Sequence, residues 1–245
     1  MFKLYQNSYQ KREQLRKLMD SEEWPQAIDD SLIYQDPTER AHAILNLLGG
    51  PDVLPGTRLL DFGCGSGEVV KVSSDHGVRT AVGYDIVPKE GVVTHFEEVR
   101  SKGPYDVVIV NDVLDHLVGE TIKGAMEKIA SVTVPFGHIL VRCHPYISRT
   151  GTHLPQYGIN KAYAHLVLPN LEGDYTFFTR SPIYTYQKAF EQNHLQIDYK
   201  LFHKQVLEDF FFENKDINHI LGSISQNEGH YQMRIQNAEY VLRKV

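Results

Sequence analysis

Leu59-Leu60-Asp61-Phe62-Gly63-Cys64-Gly65-Ser66-Gly67 is the stretch that decides the fold. A short apolar strand runs into a carboxylate and then into glycines at alternate positions. The helix-compatible run Glu68-Val69-Val70-Lys71-Val72 follows at once. Glycine lets backbone approach a ligand closely and adopts positive φ without penalty. A strand, a glycine-rich turn and a helix in that order set a ligand over free N–H groups at a helix N-terminus. The dinucleotide fingerprint is G-x-G-x-x-G, whose third glycine allows close helix–strand packing. Here the pattern is G-x-G-x-G, and Glu68 stands in place of that third glycine. A glutamate there repels a pyrophosphate, whereas Asp61 suits an ammonium or a sulfonium. The turn therefore points to a cationic ligand.

Two later segments extend the pattern. Val82-Gly83-Tyr84-Asp85 reads as a second strand ending in a carboxylate. Asp85 follows Gly65 at the roughly 20-residue spacing at which a nucleotide fold places the acid that holds ribose hydroxyls. Tyr105-Asp106-Val107-Val108-Ile109-Val110-Asn111-Asp112 has the continuous apolar centre of a parallel strand covered on both faces. Val113-Leu114-Asp115-His116-Leu117 comes next.

In this order the three motifs resemble the class I S-adenosylmethionine-dependent methyltransferases, over roughly residues 55–144. The V-L-D-H run after the fourth strand is most similar to the branch acting on small molecules, such as quinone-pathway O-methyltransferases. The resemblance implies an α/β fold with a doubly wound, mostly parallel seven-stranded sheet and an antiparallel C-terminal edge strand. It also implies S-adenosylmethionine as cofactor. Asp61 and the backbone of Gly63, Cys64 and Gly65 would hold its aminocarboxypropyl end, and Asp85 its ribose hydroxyls. Ile86 would pack on adenine, and Phe96 and Glu97 best match the adenine edge, although the family often carries an aspartate there. Asn111 and Asp112 complete the cofactor set.

Methyl transfer demands alignment and exclusion of water, and an oxygen or nitrogen acceptor adds the need for a base within hydrogen-bond reach. His116 matches the family's histidine after the fourth strand. His144, at the carboxyl end of the fifth, is the second candidate, with Asp112 and Asp115 able to orient an imidazole or a substrate hydroxyl. Each histidine has a structural role as its alternative. Arg149, His153 and Lys161 would form either a cationic patch for an acidic substrate or an ordinary polar loop. Cys64 is assigned no nucleophilic role. No N-P-P-Y or D-P-P-Y run follows the fourth strand, which disfavours base N-methylation.

The chain has 245 residues, 42% apolar and 23% charged, in the range of a soluble globular protein. A net charge of −6 disfavours a nucleic-acid partner. Cys64 and Cys143 form no disulfide framework, so a reducing compartment is expected. No apolar run approaches the ~20 residues of a membrane span, and the N-terminus lacks a signal-peptide core. The expected location is the cytoplasm. No metal site is expected, since the histidines are scattered.

Residues 1–50 are expected to form an N-terminal helical cap, with one helix over 8–20 carrying a solvated basic face (Lys11, Arg12, Arg16, Lys17). A second helix starts at Asp36-Pro37-Thr38-Glu39 and ends at Gly49-Gly50-Pro51. Residues 51–245 then form the methyltransferase domain, with 145–181 as a substrate or lid insertion and a short helix over 161–168 capped by Asn160. The pattern predicts strands at 58–62, 80–85, 92–96, 106–111 and 138–144 and helices at 67–75 and 119–132. A helix at 183–193, a strand at 195–201 and a last strand over 231–242 follow. Only residues 86–91 separate the second and third strands, fewer than the dozen or so of a helical crossover. The helix normally found there is missing or reduced, and the bare face would serve a protein partner or a second copy. The leading expectation is methyl transfer to an oxygen or nitrogen of a small molecule. Its rivals are a nucleic-acid or protein methyltransferase and a catalytically silent S-adenosylmethionine-binding regulatory or assembly subunit.

Overall fold

The computed structural model describes residues 13–25, 36–117, 119–146, 161–167, 181–204, 211, 213–228 and 235–245. Seven strands form one sheet: Arg58–Phe62 (β1), Thr80–Tyr84 (β2), Val92–Val93 (β3), Tyr105–Asn111 (β4), Thr133–Cys143 (β5), Leu195–Lys204 (β6) and Ile235–Lys244 (β7). Their order is β3-β2-β1-β4-β5-β7-β6. The first five are parallel to their neighbours. β7 inserts between β5 and β6, antiparallel to both, and leaves β6 at the edge.

The helices are residues 13–19 (α1), Pro37–Leu47 (α2), Glu68–Val72 (α3), Phe96–Lys102 (α4), Ile122–Val132 (α5), Ala164–Val167 (α6), Ile183–Gln192 (α7) and Lys215–Glu228 (α8). The apolar strands feed two cores because successive side chains point to opposite faces. Leu59, Val107, Ile109 and Leu140 meet Ala41, Ile44 and Leu45 of α2 and Val69 and Val72 of α3. Leu60, Phe62, Val108, Val110, Ile139 and Val141 meet α5 and α7 on the other face. Each fully buried side chain of this size contributes roughly 1.5–3 kcal/mol.

Within the stretch expected as a cap, α2 therefore covers the sheet directly. Asp36 starts it as expected, its Oδ1 accepting from Thr38 N at 2.8 Å and Glu39 N at 3.2 Å. α1 belongs to a third cluster, where Leu15, Met19 and Trp24 pack against Ala162, Tyr163 and Phe211. Arg16 and Lys17 are exposed, while Lys11, Arg12 and Asn160 lie outside the described residues.

Some boundaries differ from the sequence pattern. The strand expected over 92–96 stops at Val93, and α4 begins at Phe96. Val99 turns into the core while Glu97–Arg100 and Glu98–Lys102 pair at i,i+3 and i,i+4 on the outside. That helical spacing stabilises the segment as α4. α3 ends at Val72 and continues as a 3-10 turn over Ser73–His76. β5 starts at Thr133, running through Pro135 and Gly137 with an irregularity in its pairing to β4. The last strand runs to Lys244. No helix stands between β2 and β3, as expected, and the N–H of Asp85 donates directly to Val93 O at 3.1 Å.

Candidate active site

The carboxyl ends of β1, β2 and β4 open onto two cavities. One, of about 450 Å³, is lined among others by Gly63, Asp85, Ile86, Asp112, Val113, His116 and Leu117. The other, of about 440 Å³, is lined by Arg40, Asp61, Gly63, Cys64, Gly65, Glu68, Asn111 and Asp112 among others. They share Gly63 and Asp112, so a single elongated molecule passing over these two residues would occupy both.

The glycine turn is built for a close approach. Gly63, Gly65 and Gly67 take φ of 81°, 56° and 78°. A Cβ on Gly63 would lie 2.2 Å from Val113 Cγ2, so only glycine fits under the loop after β4. The N–H groups of Gly63 and Cys64 donate to Tyr84 O at 2.7 and 3.0 Å, which ties the turn to β2.

Asp85 sits across that turn. Its Oδ2 accepts from Gly65 N and its Oδ1 from Val87 N, both at 2.9 Å. Two backbone donors fix the carboxylate, and its remaining lone pairs can face vicinal hydroxyls. Asp61 is buried beneath the second cavity. Burial, with the charges of Asp85 and Glu68 added, pushes its carboxyl up to about 7. A carboxylate in such a place is stabilised by a cation more than by anything else. Glu68, held by Ser66 Oγ and by Lys71 at 3.1 Å, adds to the negative wall. The acidic lining fits an ammonium and repels a pyrophosphate, as the spacing of the glycines predicted. Burial pushes the Cys64 thiol up to about 12, so it is no nucleophile.

Asp112 is the hub between the cavities. It takes φ of 56°, outside the usual range for a side chain of its kind, and its N–H donates to Arg142 O at 2.9 Å. Its Oδ2 accepts from Arg40 Nη2 at 2.7 Å and from Asn111 Nδ2 at 3.1 Å, and its Oδ1 lies 3.3 Å from His144 Nδ1. Burial alone would raise this carboxyl, but His144, Arg142 and Arg40 outweigh it and hold it well below the usual range. His144 Nδ1 also lies 3.4 Å from Asp115 Oδ2, and Asp115 is fully buried. Burial alone would strip the His144 proton; the two carboxylates outweigh it and push the imidazole up to about 9. The two aspartates flanking His144 favour its protonated form at neutral pH, which suits it less to the role of a base. His116, half-buried, lines the first cavity.

Other expected site residues lie elsewhere. Phe96 packs on Phe62 and Tyr84 at centroid distances of 6.4 and 5.8 Å. Glu97 is 77% exposed and paired with Arg100. Neither lines these two cavities: Phe96 packs against the core and Glu97 faces outward. Lys161 donates to Ser21 O at 2.7 Å and so braces the third cluster. Arg149 and His153 lie outside the described residues. Arg40, Val113, Glu120 and Lys128 line the cavities without having been singled out from sequence. Arg40 adjoins the apolar stripe of α2, but periodicity alone does not say which sheet end it overlooks.

A methyltransferase-domain family profile matches residues 32–198, most of the chain. The chain belongs to this family. The last-strand insertion between β5 and β6 is shared with solved methyltransferases of the class I fold. Similar structures include an S-adenosylmethionine-dependent methyltransferase from Archaeoglobus fulgidus, 15% identical with a TM-score of 0.50, spanning 88% of this chain and 100% of that one. A 1,6-didemethyltoxoflavin-N1-methyltransferase from Burkholderia thailandensis is 12% identical, TM-score 0.52, over 88% and 81%. Magnesium protoporphyrin IX methyltransferase from Synechocystis PCC 6803 is 14% identical, TM-score 0.51, over 85% and 83%. At these identities the likeness speaks for the fold. No curated protein matches this methyltransferase in sequence. S-adenosylmethionine is the methyl donor of the class I enzymes to which it belongs. No helix among the described residues is long and apolar enough to cross a membrane.

Proposed function

We propose that this methyltransferase transfers the methyl group of S-adenosylmethionine to an oxygen or nitrogen of a small molecule. The observation that carries the reading is the pair of cavities joined at Gly63 and Asp112, with a buried carboxyl, Asp61, in one and the fixed carboxylate of Asp85 in the other. Asp61 would meet the donor's ammonium and Arg40 its carboxylate. Asp85 would accept from the ribose hydroxyls, and Ile86, Val113 and Leu117 would enclose the base. S-adenosylmethionine supplies an electrophilic methyl group on a sulfonium.

The chain's own part is to align and to exclude water. Asp112 holds its place through Arg40, Asn111 and His144 and keeps its negative charge beside the junction of the cavities. Of the two candidate histidines, we assign the base role to His116, which lines the first cavity, because the two aspartates around His144 favour that ring's protonated form. Support for a small acceptor comes from the net charge of −6, which disfavours a nucleic acid, and from fold neighbours named for 1,6-didemethyltoxoflavin and magnesium protoporphyrin IX.

The test is transfer of tritiated methyl from S-adenosylmethionine to fractionated cell extract. Label in the small-molecule fraction is the expected result. Label in RNA, DNA or protein alone refutes the acceptor class, and absence of donor binding by calorimetry refutes the reading altogether.

A further inference from the structure

The first cavity carries two polar side chains, Glu120 and Lys128, that the donor reading leaves without a task. Ile86 and Val87 are 67% and 54% exposed, large apolar side chains bare on one side of a slot. Val113, Leu117 and Ala125 also line it. Asp85 and Asp112 mark the ribose and methionine end, and the Tyr84 ring packs against Phe62 at 4.9 Å and Phe96 at 5.8 Å. Besides His116, the polar side chains left on this cavity are Glu120 and Lys128. They form an ion pair, Glu120 just ahead of α5 and Lys128 within it. Glu120 Oε1 also accepts from Thr121 N at 3.2 Å, which holds the carboxylate in place.

An adenine presents an exocyclic amine donor flanked by a ring-nitrogen acceptor. A fixed carboxylate beside an ammonium is the complement of that pair. No residue of 92–104, where the family resemblance seeks the adenine edge, lines the cavity. Resting on the donor reading above, we infer that Glu120 and Lys128 read the hydrogen-bonding edge of the donor's base: Glu120 accepts from the 6-amine and Lys128 donates to the neighbouring ring nitrogen. Residues 92–104 supply no reader to this cavity, whereas Glu120 and Lys128 line it. An ion pair of ordinary surface kind would contribute little and would not discriminate between bases.

The experiment is calorimetric titration of the full chain with S-adenosylhomocysteine and with its 6-deamino purine analogue. The wild type is expected to prefer the adenine form about tenfold, the loss of one charge-assisted hydrogen bond at a half-exposed site. Glu120→Ala should bring the ratio to about one, and Lys128→Met should weaken both ligands alike. Glu97→Ala should leave the ratio untouched. The ratio is measured on one protein preparation, so partial unfolding of a variant lowers both affinities and cancels. A tenfold preference that survives Glu120→Ala, one lost in Glu97→Ala, or none in the wild type overturns the assignment while leaving the donor reading standing. A wild type that binds neither ligand overturns both.

Discussion

Replacing Asp61 by Asn should make the free protein more stable at pH 8 and unable to hold its donor. Asp61 is 4% exposed, and burial together with Asp85 and Glu68 lifts its carboxyl from 3.8 to about 7. Below pH 3.8 the folded and unfolded chains both carry the proton. Between 3.8 and about 7 only the folded chain does, so the contribution of this group falls as pH rises through that window. Above it, at ~1.4 kcal/mol per pKa unit, the ionised carboxylate costs the folded state about 4 kcal/mol. Asn carries no charge, but its amide brings polar atoms that need partners, so a net gain of roughly 1–3 kcal/mol is expected at pH 8. Near pH 4 the two proteins should be close to equal.

The assay is urea unfolding of wild type and Asp61→Asn at pH 4 and pH 8, with and without S-adenosylhomocysteine. Other titrating groups are common to both proteins, so the difference between them isolates Asp61. The ligand at about a hundredfold excess over its Kd should stabilise the wild type by about 2.7 kcal/mol. The variant should gain little. A variant less stable than the wild type at pH 8, or a difference independent of pH, would refute the reasoning, because the carboxylate would then be satisfied in the free protein.

Further outcomes are expected at the other charged groups. Asp85→Ala should weaken S-adenosylhomocysteine binding about ten- to a hundredfold by calorimetry, since it removes a carboxylate that two backbone N–H groups orient; unchanged affinity would put the ribose elsewhere. His116→Ala should lower kcat about a hundredfold, much more than it weakens donor binding, and wild-type turnover would make His116 structural. His144→Gln should destabilise the protein most below pH 6.5, where the raised imidazole contributes in full. The difference from wild type, at most about 3 kcal/mol, should shrink as pH rises through about 9; a pH-independent difference in unfolding free energy would contradict the Asp112–His144–Asp115 arrangement.

The positions of the central strands and the glycine turn were legible because each rests on local pattern: apolar runs for β1 and β4, glycines where the backbone takes positive φ, and the Asp36 cap of α2. The short β2–β3 connection was legible by counting. α4 was hidden because Val92-Val93 and Phe96 read as one extended run, while its helical spacing emerges only once Val99 has a core to enter. The site divided in the same way. Asp61, Gly63, Gly65 and Asp85 were found because the ligand-binding turn and the strand end carry them in sequence. Arg40, Glu120 and Lys128 were not, because helices bring them to the cavities from positions remote from the motif.

By itself the sequence determined the family, the sheet and the cationic character of the ligand, since backbone conformation and strand patterning are written over a few consecutive residues. Tertiary structure alone decided which histidine is flanked by carboxylates. His144 and His116 look alike as residues after strand ends. Only the folding of β4 beside β5 sets Asp112 and Asp115 within 3.4 Å of one imidazole and favours its protonated form. Charge–charge energy depends on distance and burial, and neither exists until the chain has closed on itself.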